Sequence, residues 1–109
     1  MARRKMQSAA LRGTENVTTA HTMRVAATSL SYSEGAEGRA KAGACQTAWH
    51  MWGRAQFNAG SADAYAREVG VRPDARAHVR QAQRAAHAAF AVILSACPPL
   101  RKRRREAAR

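Results

Sequence analysis

The sequence predicts a small all-α domain of three helices with disordered basic termini, and three observations carry that expectation. Alanine, the best helix former, makes up about a quarter of the 109 residues, while Leu, Ile, Val and Phe together reach only about 12%. Bulky side chains recur at three-to-five spacing, as on one face of a helix. Breaks at Asn58-Ala59-Gly60, at Gly70 and at Pro98-Pro99 cut the chain into segments of helical length.

The elements follow in order. Residues 1–35 read as a flexible basic arm with at most one short helix, over about Thr22–Leu30, because Thr and Ser compete with helical hydrogen bonding and no apolar period is sustained. Residues 36–97 read as the helical domain. Its first helix runs from Ala36 and places Cys45, Trp49, Trp52 and Phe57 on one face, and it ends before Asn58-Ala59-Gly60, where Asn and Gly tolerate a left-handed exit. Ser61 offers an N-cap to a short second helix that Gly70 stops. Asp74 offers a cap to the third, which runs to about Ser95 or Ala96 because Pro98 and Pro99 cannot extend it. In that helix Ala75, Val79, Ala82, Ala86, Ala89, Phe90, Ile93 and Cys97 share an apolar arc of about 100°. Beside it, Arg76, Arg80, Arg84 and His87 form a basic ridge. Residues 98–109 read as a basic tail, with the run Arg101, Lys102, Arg103, Arg104 and Arg105.

Charge names the partner class. Nineteen Lys and Arg against seven acids give a net charge of +12, and the residues from Val71 onward hold ten of the basic groups and two of the acids. So polarised a field favours a polyanion, DNA first and RNA nonspecifically. No run of apolar residues is long enough to cross a bilayer, and the basic first residues are not followed by the apolar core of a secretory signal, so no membrane partner is expected.

Residues Ala62 to Gln81 resemble a helix-turn-helix DNA-binding motif of the bacterial or phage regulator type, over about a fifth of the chain. Ala66 stands where the two helices approach, Tyr65 and Val69 where the motif faces its core, Gly70 at the turn, Val71 at the junction, and Val79 where the second helix packs back. Three residues before Val79, where the motif carries an aliphatic side chain, stands Arg76, with Ala75 next to it on the apolar arc. The resemblance implies that the second helix enters the major groove and presents Arg72, Asp74, Ala77, His78 and Gln81. Arg72 then forks onto guanine and Gln81 onto adenine, while Arg76, Arg80, Arg84 and the tail from Arg101 to Arg105 reach phosphates. It implies a transcriptional regulator or a plasmid or phage accessory protein. The Ala and Arg richness suits a high-GC bacterium or mobile element. The alternative is a helical interaction or assembly protein with only nonspecific nucleic-acid contact, or a small chain that folds poorly.

Other chemistry finds little material. The four His and two Cys do not form ligand pairs at metal-binding spacing, so neither metal nor cofactor is expected. Cys45 and His50 fall about 140° apart on a helix, which separates nucleophile from base. The acids are dispersed, leaving no carboxylate pair for acid–base work, and the chain reads as a non-enzyme. Two cysteines so far apart read as reduced core thiols in a cytoplasmic, nucleoid-associated protein, or a nuclear one in a eukaryotic or viral host. Trp49 and Trp52 read as core. The apolar stretch Phe90 to Leu94 offers a surface for homodimerisation.

Overall fold

The computed structural model describes residues 2–69 and 71–98, with side chains described from 17 onward apart from that of residue 69. They form α1 (Ala2–Lys41), α2 (Cys45–Val69) and α3 (Pro73–Ala96), with no strand among the described residues. The protein is an all-α, three-helix domain, as its composition predicts. The chain is divided among the helices differently from the expectation, and each difference has a local cause.

α1 is one helix of 40 residues where an arm with a short helix is expected. Over 17–35 that segment is part of the bundle: Thr19, Thr22, Ala26, Ser29 and Ser33 are all buried. Their spacing alternates three and four and continues through Ala36 and Ala40, which is the seam of a coiled coil. The repeat is one of side-chain size rather than hydrophobicity, so a search for apolar residues passes over it. α1 ends at Gly43, whose φ of 82° is the only positive one among the described residues. The Ala44 N–H donates to the Arg39 carbonyl at 2.9 Å and the Gly43 N–H to that of Ala40 at 3.0 Å, the paired bonds of a Schellman cap. The helix expected to begin at Ala36 is therefore cut in two, with residues 36–41 closing α1 and Cys45 opening α2.

α2 passes straight through Asn58-Ala59-Gly60, the expected exit, and Ser61 is an interior residue rather than a cap. The Asn58 Nδ2 donates to the Arg54 carbonyl at 2.8 Å, one turn back. Gly60 in a helix interior costs about 1 kcal/mol. Burial of the row Ala55, Ala59, Ala62 and Ala66 offsets it, and that burial requires the helix to continue. α3 starts at Pro73, a favoured first helical residue, with Arg72 as its N-cap at φ −62° and ψ 153°. Asp74, expected as the cap, sits instead inside the first turn, where its charge complements the helix dipole. The far end is as expected: the Cys97 N–H donates to the Ile93 carbonyl at 2.7 Å, and Pro98 follows.

Cross-helix contacts give the topology. Met51 lies on Gly35, Arg54 over Tyr32, and His21 against Tyr65, so α2 runs antiparallel to α1. Cys45 meets Cys97 and Trp52 meets Ala86, while Ala66 and Val79 line one cleft, so α3 runs antiparallel to α2 along its length. The result is an up-down-up bundle whose buried positions are mostly Ala, Ser, Thr and Cys. Small residues let the helices approach closely. The short Ser29 side chain donates from Oγ straight to the Ala55 carbonyl of α2 at 2.7 Å. On α3 the apolar arc is as read from the sequence: Ala75 is fully buried and Arg76 exposed.

The cysteines are a correction. Cys45 and Cys97, expected as free thiols in a reducing interior, form a disulfide with Cα atoms 5.6 Å apart. Their 52-residue separation conceals that α2 begins where α3 ends. Disulfides persist in oxidising compartments. No helix among the described residues is long and apolar enough to cross a membrane.

Candidate nucleic-acid interface

The basic ridge follows from where α3 buries its apolar arc. With Ala75, Val79, Ala82, Ala86, Ala89 and Ile93 turned inward, Arg76, Arg80, Arg84 and His87 fall along the edge of α3 and all are exposed. Successive members of the row rise about 6 Å. Like charges at this spacing repel by a few tenths of a kcal/mol per pair, a cost that a polyanion along the row reverses.

What the sequence does not reveal is the other wall. Arg76 and Arg80 line a cleft of about 400 Å³ together with Asp63, Ala66 and Arg67 of α2 and Val79 and Gln83 of α3. Arg67 thus joins the α3 arginines. Its partner is Asp63, one turn back, at 2.9 Å, a geometry worth a few tenths of a kcal/mol at an exposed site. Asp63 is the carboxylate of this cleft, and it is engaged. Further along, Arg80, Gln83, Arg84 and His87 line a shallower depression. The edge is therefore continuous from Arg76 to His87.

The residues assigned to base reading lie beside that row. Arg72, Asp74, Ala77, His78 and Gln81 are all exposed. Arg72 is bound to its neighbourhood through its backbone, whose N–H donates to Thr19 Oγ1 of α1 at 3.4 Å. Its side chain makes only a long contact with Asp74, 3.9 Å between Nε and Oδ1, both groups more than half exposed. Asp74 also accepts from the Ala75 N–H at 3.0 Å. At the junction Ala66, Val71, Ala75 and Val79 are buried in one cluster, and Tyr65 is half-buried against His21. Gly70, the Val69 side chain and the run Arg101, Lys102, Arg103, Arg104 and Arg105 lie outside the described residues. The α2–α3 pair is an αα-hairpin aligned along its length, whereas a helix-turn-helix sets its second helix at about 90–120° to the first.

Phe90 to Leu94, offered as a dimer surface, is mostly used within the chain. Ile93 is fully buried, and the Phe90 ring lies 5.1 Å from Trp52 and 5.8 Å from Trp49. The indole N–H of Trp52 donates to the Ala86 carbonyl at 3.0 Å, fixing this cluster between α2 and α3. Leu94 remains about half exposed. No group of three or more potential metal ligands occurs among the described residues. Compared with family models, curated proteins and solved structures, the chain matches none of them.

Proposed function

We propose that this protein is a helical nucleic-acid-binding protein that grips the phosphate backbone along the α2–α3 edge without reading sequence. The observation that carries this reading is the alignment of Arg76, Arg80 and Arg84 along one continuous edge, where the lining carboxylate, Asp63, is held by Arg67. Cations so placed neutralise phosphates and release counterions, giving affinity that falls steeply with salt.

Salt titration of duplex binding tests it. Affinity is expected to fall in parallel for all sequences, and the triple change Arg76→Ala, Arg80→Ala and Arg84→Ala is expected to flatten the log–log salt slope by about three. An unchanged slope overturns the assignment of the edge.

A second reading, a helix-turn-helix regulator, is favoured by the exposure of Arg72, His78 and Gln81 and by the buried cluster at the junction. It requires that Arg72→Ala or Gln81→Ala relax a preference for one duplex over random competitor. The lengthwise hairpin favours phosphate contact over that reading. In either case DNA is the partner, and any role in transcription or on a mobile element follows from the second reading alone.

A further inference from the structure

A different groove, between α1 and α2, carries a second set of features that the α3 edge does not use. Trp49, Gly53 and Phe57 stand four residues apart in one row of α2, so Trp49 and Phe57 are separated by about 12 Å along the helix with Gly53 between them. Phe57 is 75% exposed, an unusual position for the ring in a chain so short of bulky apolar residues. Gly53 costs the helix about 1 kcal/mol relative to Ala. Nothing in the fold requires it, since a Cβ built there meets no atom within 4 Å. Gly35 is the contrast: a Cβ there would strike Met51, so that glycine serves packing. Gly53, like Gly38 and Gly60, faces open space, and at Gly53 that space lies between two rings.

The rim is cationic. The depression, about 620 Å³, is lined by Tyr32, Trp49, His50, Gly53, Arg54 and Phe57 with two polar neighbours, Thr28 and Asn58, and no carboxylate is among the lining residues. Arg54 lies 5.9 Å from the Tyr32 ring centroid, and its Nε–H donates to His50 Nε2 at 3.3 Å, which holds the guanidinium at the edge of the slot. Flat rings beside a fixed cation suit a flat, electron-poor ring attached to a phosphate.

We infer that this slot is a site for an unpaired base of single-stranded nucleic acid, stacked on Phe57 with its phosphate on Arg54. A duplex does not fill it, because paired bases present no free face. The charge complementarity is with phosphate, and the chain's net charge of +12 supplies the same preference at long range.

The test compares a labelled oligothymidylate with a mixed-sequence duplex at one salt concentration, by fluorescence anisotropy on the full chain. Phe57→Ala is expected to weaken oligothymidylate binding by roughly five- to a hundredfold, the range of one lost stacking contact, and to leave duplex binding unchanged. Gly53→Leu is expected to give the same loss by filling the floor, with a melting temperature at or above the parent's, so that unfolding does not explain it. The triple arginine change on α3 is expected to lose the duplex and to keep quenching of tryptophan fluorescence by oligothymidylate, which separates failure of this site from failure of the edge. Three results overturn the inference: a parent protein that does not bind oligothymidylate, variants that bind it as the parent does, or a slot taken by an acidic amphipathic peptide that oligothymidylate fails to displace.

Discussion

The two ends of the bundle differ in what fills the space between the helices. At the disulfide end, Ala36, Ala40, Ala48, Ala89 and Ile93 are packed with Trp49, Met51, Trp52 and Val92, and the Cys45–Cys97 bond closes the end covalently. At the opposite end the core is Ala26, Ala59, Ala62, Ala66, Val71, Ala75, Val79 and Ala82, with Met23 and Val25 at its margin. One end is stabilised by large buried surfaces, at about 25 cal/mol per Å² of apolar area. The other relies on close approach of backbones, where each buried side chain contributes little area and the fit leaves almost no tolerance. The lesson is that a chain poor in Leu and Phe can still form a bundle when its small residues keep a strict seam.

The largest effect expected to break this comparison is removal of the clamp. Replacing both cysteines (Cys45→Ser with Cys97→Ser) releases a loop whose ends are 52 residues apart, and chain entropy then predicts a loss of about 4 kcal/mol. Urea unfolding measures it. Equal midpoints for parent and variant would remove the distinction between the ends.

Next in size is overpacking at the small-residue end. Ala62 is fully buried, and Ala62→Leu there is expected to cost about 2 kcal/mol by forcing the helices apart. A neutral result in thermal melting would show that the seam has room and that closeness is not what stabilises it.

The smallest is a gain. Thr22 is fully buried, and its Oγ1 has no hydrogen-bond partner among the described residues. Thr22→Val keeps the shape and removes the unsatisfied hydroxyl, so stability should rise by about 1 kcal/mol. Loss of stability instead would mean that the hydroxyl is solvated or paired in solution.

Much of α3 was legible before any fold was known. Its start near Pro73, its stop before Pro98, its buried arc and its arginine ridge all follow from 100° periodicity in one segment. α1 was not, because Thr19, Thr22, Ser29 and Ser33 count as polar on any hydropathy scale, though they serve as small residues in a seam. Gly43 and Gly60 show the same difficulty at helix ends. Both are glycines in alanine-rich surroundings, yet one takes a positive φ and ends a helix while the other continues one. Which occurs depends on whether the residues beyond have a neighbouring helix to bury against.

The candidate sites divide in the same way. Arg76, Arg80 and Arg84 could be read from spacing, but Arg67 joins them only because α2 lies alongside α3. Tyr32 reaches Arg54 only because α1 lies against α2.

By itself the sequence determined the helical class, the strong positive charge and the face that α3 buries, since these depend on residue type and on periodicity within one segment. The tertiary structure alone decided the full length of α1, the pairing of Cys45 with Cys97 and the grooves that gather cations from two helices. Those features require residues distant in the chain to be brought side by side, and close packing of small side chains is what brings them there.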